Sequence, residues 1–137
     1  MTLPNVFILT GAGISAESGL STFRDKDGLW SRYRIEEVAS IEGYRRDPKR
    51  VLEFYNLRRN AHGDVKPNAA HAALAKLEQH WEAHGGTVTI STQNIDNLHE
   101  RGGSKRVVHM HGELLRSRLE DRFPIELEGF IPSDRSG

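Results

Sequence analysis

The sequence predicts an α/β domain built on a parallel sheet. Three observations carry this: an apolar, β-branched run at residues 5–10 that ends on Gly11, a second such run at 87–92, and segments of helical spacing between and after them. The resulting order is strand, helices, strand, helix, strand, and strands that alternate with helices are joined by crossovers that leave neighbours parallel.

Residues 5–10 read as a buried strand broken by Gly11, and residues 14–18 as a short helix ending at Gly19. The polar, glycine-bearing stretch 20–31 reads as a loop anchored at its end by Trp30, and loops of that length usually serve function. Asp47-Pro48 is a helix start, a capping side chain followed by proline at the first helical position, and residues 49–61 continue it. Tyr55 and Arg58, three apart, share a face of that helix. Pro67-Asn68 opens another helix, in which Ala70, Ala73, Leu74, Leu77 and Trp81 recur at helical spacing until Gly85-Gly86 stops it. Residues 87–92 form the second strand, a short helix over 97–101 ends at Gly102-Gly103, and residues 106–110 are the third strand. Residues 117–137 hold acidic clusters, two prolines and no sustained period, and weakly ordered structure is expected there.

Composition narrows the partners. Lys plus Arg equals Asp plus Glu at 19 each, so no bulk field draws the chain to nucleic acid or to an anionic membrane. No cysteine is present, which removes disulfides and thiolate metal sites and fits a reducing compartment. The apolar run at 6–9 is too short for a signal peptide or a membrane span. A soluble cytoplasmic protein is expected.

Four groups of residues suggest chemistry. Gly11, Gly13 and Ala16 fit the G-x-G-x-x-G/A spacing of dinucleotide folds, in which small residues let the backbone approach a pyrophosphate; the spacing fits a tight strand-to-helix turn equally well. Gln93-Asn94-Ile95-Asp96 follows the second strand, at the carboxyl end of the sheet, where an amide pair and a carboxylate can bond ribose hydroxyls and a carboxamide. An Asx-rich turn capping the next helix is the plainer reading. His109 and His111, two apart on a strand, point to one side: they are either metal ligands, for which only distant His99 offers a third, or a base beside a structural neighbour, with Gly112 allowing close substrate approach. Tyr55 and Arg58 suit the grip of a carboxylate by charge-assisted hydrogen bonds, or are simply the outer face of an amphipathic helix.

Read together, Thr10-Gly11-Ala12-Gly13-Ile14-Ser15, Thr22-Phe23-Arg24-Asp25, Thr92-Gln93-Asn94-Ile95-Asp96-Asn97-Leu98-His99 and His109-Met110-His111-Gly112 closely resemble the sirtuins, NAD-dependent protein-lysine deacylases. Order and spacing match over about residues 5–116. Phe54-Tyr55-Asn56-Leu57-Arg58-Arg59 and Pro67-Asn68-Ala69-Ala70-His71 further resemble the bacterial class that removes succinyl as well as acetyl groups. The resemblance implies a Rossmann-like sheet with flanking helices, NAD as co-substrate, and acyl-lysine proteins or peptides as partners. It implies that Gly11, Ala12, Gly13, Ser15, Thr22, Phe23 and Arg24 surround the phosphates and adjoining ribose of NAD, and that Gln93, Asn94, Ile95 and Asp96 serve the nicotinamide side. Tyr55 and Arg58 would bind an acyl carboxylate. Asn94 and His111 would be catalytic, His111 as general base on a ribose hydroxyl while the acyl group passes to ADP-ribose and nicotinamide is released.

The departures also have consequences. The family carries a zinc module shortly after the catalytic histidine, whose first cysteine aligns with Leu119, and no cysteine is available here to hold zinc. The segments that complete the sheet and contact the adenosine half of NAD have no counterpart in residues 117–137. The expectation is therefore a partial, truncated sirtuin-like region over 1–116, a divergent tail over 117–137, and an exposed sheet edge open to self-association. The alternative to a deacylase is an inactive fragment that binds NAD weakly or serves as an interaction module.

Overall fold

The computed structural model describes residues 2–22 and 29–116. Strands β1 (Asn5–Thr10), β2 (Thr87–Thr92) and β3 (Val107–His109) form one parallel sheet in the order β1-β2-β3. Asn5 pairs with Thr87 and Thr10 with Thr92, while Ile90 pairs with Val107 and Thr92 with His109. The first two strands have the bounds the sequence predicts; β3 is shorter, ending at His109.

Helices follow from local chemistry. α1 (Gly13–Ala16) is a single turn and begins on the glycine itself, one residue earlier than predicted. A 3₁₀ turn occupies Leu29–Ser31. Two short helices that the sequence analysis does not place, α2 (Ile35–Val38) and α3 (Ile41–Arg46), come next, and Ser40 caps α3 by accepting from the Gly43 N–H at 2.9 Å. α4 (Pro48–His62) starts as predicted, with Asp47 accepting from Arg50 N–H at 3.1 Å. α5 (Ala69–Ala83) is capped by Asn68, and α6 (Leu98–Arg101) ends at Gly102. The weakly ordered structure expected for residues 117–137 lies outside the described residues, as do residues 23–28 of the predicted 20–31 loop.

Alternation along β1 and β2 sorts the sheet into two faces. Val88, Ile90 and Thr92 are fully buried on the face that α5 covers, and registration puts Val6, Ile8 and Thr10 beside them. On the opposite face Phe7 is 70% exposed, Leu9 62% and Val108 52%. The helical part has its own centre, Phe54, whose ring meets Trp30 at 4.8 Å, Tyr33 at 4.9 Å and Tyr55 at 5.3 Å. Burying such a ring contributes about 1.5–3 kcal/mol. Close approach fixes the α2–α3 corner: a Cβ on Gly43 would lie 2.2 Å from the Glu37 carbonyl oxygen.

Buried polar groups tie the layers together. Glu78, on α5, accepts the Lys105 N–H with both carboxylate oxygens, at 3.0 and 3.1 Å, and so pins the turn that leads into β3. Arg101 donates to the Val65 carbonyl at 2.7 Å and His62 Nε2 meets Asn97 Oδ1 at 2.9 Å, which fastens α6 to the α4–α5 connection. Among the described residues no helix is long and apolar enough to cross a membrane.

Candidate functional site

All three strands point their carboxyl ends the same way, so the segments that follow them meet at one end of the sheet, where open α/β folds bind ligands. Gly11 follows β1, Gln93 to Asp96 follow β2, and His111 follows β3. Backbone bonds seal the junctions: Gln93 N–H donates to the Thr10 carbonyl and Met110 N–H to the Thr92 carbonyl, each at 3.0 Å.

The glycine turn is narrow and open. A Cβ on Gly13 would have nothing within 4 Å, and one on Gly11 would lie 3.9 Å from Gln93 Oε1, so there is room beside the backbone for a ligand. Part of the expected amide cradle is already engaged, because Ile14 N–H donates to the Gly11 carbonyl at 3.2 Å and Ser15 N–H to that of Ala12 at 3.1 Å. Asn94 braces the turn from across the sheet: its Nδ2 donates to the Gly11 carbonyl at 2.9 Å and to Ser15 Oγ at 3.3 Å, while its N–H donates to Thr92 Oγ1 at 3.0 Å. Gln93 is exposed, Asn94 and Asp96 are buried, and Ile95 is half-buried with its carbonyl accepting from Leu114 N–H at 2.7 Å. Thr22 is half-buried; Phe23 and Arg24 lie outside the described residues.

Beneath the turn runs a hydrogen-bond chain whose direction is fixed. Asn68 N–H donates to His71 Nδ1 at 3.1 Å, so the His71 proton sits on Nε2, which faces Ser15 Oγ at 3.4 Å. Ser15 Oγ–H in turn donates to Asp96 Oδ2 at 3.0 Å, and Leu98 N–H donates to Asp96 Oδ1 at 3.0 Å. His71 thus joins the site, a role not legible in the sequence beyond the family pattern; the signal is its place three residues after the helix-capping Asn68. His99 packs edge-on against His71 with ring centroids 5.1 Å apart, and its Nε2 meets Thr10 Oγ1 at 2.9 Å. Burial pushes both imidazoles below the usual histidine range; the Asp96 charge opposes this at both, and at His99 the charges of His71 and His109 add to the lowering.

The two histidines of the third strand part company. β3 ends at His109, whose side chain is buried on the covered face and meets the Asn94 carbonyl through Nδ1 at 2.9 Å. His111 lies past the strand in an exposed turn, so the strand on which the two would share a side does not extend to it. Gly112 follows with φ +87°, a left-handed conformation that glycine adopts without strain, and its Cβ position is open.

α4 carries Tyr55 and Arg58. The Arg58 guanidinium lies 5.1 Å from the Trp30 ring centroid and 5.7 Å from those of Phe54 and Tyr55, and desolvation lowers its pKa while the Tyr55 and Asp96 charges hold it up. An arginine so placed stays charged in weakly solvated surroundings. The next residue, Arg59, has no role predicted from its place in the sequence, yet its Nε donates to the Leu114 carbonyl at 3.0 Å and fastens α4 to the loop that carries His111.

The open space beside Gly11 and Gly13 is compatible with the phosphate side of NAD, and the exposed Gln93 amide beside the buried Asn94 and Asp96 with its nicotinamide side. The family's zinc is a different matter: no thiolate exists in the sequence, so these residues do not fit it, and Leu119 lies outside the described residues.

Known proteins match this arrangement. A model of the Sir2 family matches residues 11–121. An NAD-dependent protein deacylase of Vibrio cholerae is 61% identical over 125 residues, covering 88% of this chain and 50% of its own length. The crystal structure of a Sir2 homologue with NAD superposes with a TM-score of 0.69 at 47% identity, over 80% of this chain and 42% of that one. A mutant Sir2 homologue with 2'-O-acetyl ADP ribose gives 0.69 at 48% identity over the same shares. The chain spans about half the length of the curated relatives it matches. With that sheet, that glycine turn and a family match over most of its length, the chain belongs to the Sir2 family.

Proposed function

We propose that this chain carries the nicotinamide-side and acyl-side residues of an enzyme that removes acyl groups from protein lysines in an NAD-dependent reaction. The observation that carries the reading is the convergence, at the carboxyl ends of parallel β1, β2 and β3, of the Gly11–Gly13 turn, the buried Asn94 and Asp96, and the exposed His111. The relatives named NAD-dependent protein deacylase and the neighbours solved with NAD and with 2'-O-acetyl ADP ribose support it. When bound, NAD would supply an ADP-ribose whose ribose carbon is released by departure of nicotinamide and whose hydroxyl oxygen accepts the acyl group.

The chain's own residues then divide the work. Gly11, Ala12 and Gly13, with Ser15, Thr22, Phe23 and Arg24, line the phosphate and ribose side. Gln93 and Asn94 orient the nicotinamide ribose, and Ile95 with Asp96 receives the carboxamide, the Asp96 carboxylate being held in place by Ser15 Oγ–H and Leu98 N–H. His111, free of the strand and open to solvent, takes the proton of a ribose hydroxyl as general base. Tyr55 and Arg58 bind the carboxylate of succinyl-type acyl groups, and acetyl-lysine is accepted beside them. Substrates are acyl-lysine proteins or peptides, and the cytoplasm is the compartment we assign.

The deciding experiment incubates the pure chain with NAD and succinyl- or acetyl-lysine peptide and follows nicotinamide and O-acyl-ADP-ribose by mass spectrometry. NAD-dependent product that vanishes in His111→Ala supports the reading; a folded chain that yields none sinks catalysis by this chain. In that event the second reading holds, an inactive module that binds NAD weakly or associates through its sheet, which the exposed Phe7, Leu9 and Val108 favour. Concentration-dependent self-association in sedimentation velocity, absent in Phe7→Ser/Leu9→Ser, is its mark.

A further inference from the structure

The side chains of Glu100, His109 and Glu113 converge from the end of α6, the end of β3 and the turn beyond His111, with one donor atom from each lying within 4.8 Å of the others. His109 is the fixed member. Its side chain is only 7% exposed, and the ring is locked by Nδ1, which donates to the Asn94 carbonyl, so that Nε2 is aimed between the two carboxylates. Nε2 contacts Glu100 Oε1 directly and stands 3.9 Å from Glu113 Oε1. Glu113 holds Arg116 through its other oxygen, Oε2 to Nη1 at 3.4 Å, which leaves Oε1 available.

We propose that Glu100, His109 and Glu113 form a binding site for a divalent transition-metal ion of the zinc type. One imidazole nitrogen and two carboxylate oxygens are borderline-hard donors, suited to Zn²⁺, Co²⁺ or Mn²⁺. Ligands about 2.0–2.2 Å from one ion lie roughly 3–4 Å from each other, so the Glu100 oxygen must draw back from its direct contact with His109 Nε2 while the two glutamate oxygens adjust around the ion. The two glutamates are partly exposed and have the freedom to do so, whereas the histidine needs no movement. A carbonyl accepting from Nδ1–H is the arrangement that metal-bound histidines ordinarily have.

This trio is not the one the sequence suggests. His99 turns to Thr10, and His111 does not belong to the cluster, so of the histidine set only His109 takes part. Nor does it depend on cysteine or on the reading of the chain as a deacylase. Its structural effect is a clamp: an ion there joins α6 to the turn that carries His111, across the same histidine that holds the Asn94 carbonyl.

The test uses the full chain, freed of metal by chelator and dialysis. Zn²⁺ is titrated by calorimetry, Co²⁺ by visible absorption, and the His109 ring is followed by ¹⁵N NMR. We expect one equivalent of Zn²⁺, a shift at His109 Nε2, a raised melting temperature, no displacement by millimolar Mg²⁺ or Ca²⁺, and at least hundredfold weaker binding in Glu100→Gln/Glu113→Gln. His80, on α5, and His84, just past its end, whose rings lie 4.4 Å apart, are the rival for stray zinc. Binding should therefore persist in His80→Asn/His84→Asn. Absence of binding, binding lost with His80 and His84 instead, or an unmoved His109 ring would overturn the proposal and leave an imidazole–carboxylate cluster only. If the double glutamine variant does not fold, the His109 Nε2 signal in the unaltered chain decides.

Discussion

The Ser15 hydroxyl donates to the Asp96 carboxylate at 3.0 Å, joining the turn after β1 to the segment after β2 across 81 residues of chain. Both residues are buried, and the same oxygen of Ser15 also lies within reach of Asn94 Nδ2 and His71 Nε2. One hydroxyl therefore sets the orientation of two candidate site residues.

Ser15→Ala leaves Asp96 Oδ2 without that donor in a buried setting, a loss of about 1–3 kcal/mol. Urea unfolding should show it as a lower midpoint with an unchanged slope. NAD-dependent nicotinamide release, if the unaltered chain has it, should fall by more than the stability loss accounts for, because Asn94 and Asp96 lose a shared support.

Arg58→Met keeps an unbranched side chain of similar reach and removes the charge that lies over Trp30 and Phe54. Charge-assisted bonds to a carboxylate contribute about 1.5–3 kcal/mol, so deacylation of succinyl-lysine peptide should drop roughly ten- to hundredfold in kcat/KM, with acetyl-lysine peptide much less affected. Equal losses on the two peptides would remove the acyl-selectivity assignment.

Acid should destabilise the fold through His71 and His99. Burial lowers both pKa values, so below about pH 6.5 the unfolded chain takes up protons that the folded chain refuses, and stability declines as the pH falls toward the folded values. His109 has the opposite sign: burial opposes its charge, but the Asn94 carbonyl with Glu100 and Glu113 outweighs it and raises the pKa. Its contribution is complete below about pH 6.5 and is lost as pH rises through the raised value. Urea midpoints of chelator-treated protein between pH 5 and 8 should fall at both ends, with His109→Gln removing the alkaline limb and His99→Gln weakening the acid one.

Gly43→Ala places a methyl 2.2 Å from the Glu37 carbonyl oxygen and 2.7 Å from that of Glu36, both backbone atoms that cannot swing aside. The α2–α3 corner must open, at a cost of about 1–3 kcal/mol, visible as a lower melting temperature by circular dichroism. An unchanged melt would mean that this corner is looser than its geometry.

The strands were legible because apolar, β-branched runs mark strands wherever the turn residues agree, as Thr10-Gly11 and Gly86-Thr87 do; the burial expected for β1 was not met, because only one of its faces is covered and Phe7 and Leu9 lie on the open one. α5 was legible from its period and its Asn68 cap. α2 and α3 were not: four and six residues are too few to show a period, and what holds them is contact with α4. Gln93 to Asp96 were placed by their position after a strand, yet nothing local says that Asn94 reaches the Gly11 carbonyl. The shared direction expected for His109 and His111 presumed a strand that runs on to 110, and pairing stops at His109, an end that spacing cannot tell. Roles for His71 and Arg59 needed tertiary contacts, the Ser15 hydroxyl in one case and the Leu114 carbonyl in the other.

The alternation of β1 has one more consequence. Thr10 reaches His99 only because it shares parity with Val6 and Ile8, the side chains beneath α5. A single-residue insertion within Asn5–Thr10 would exchange parity: Phe7 and Leu9 would be driven toward the helix, and the Thr10 hydroxyl would swing to the opposite side of the sheet. Frame along this strand is thereby a condition of the chemistry at its end, so length changes there should abolish the site even where every site residue is kept.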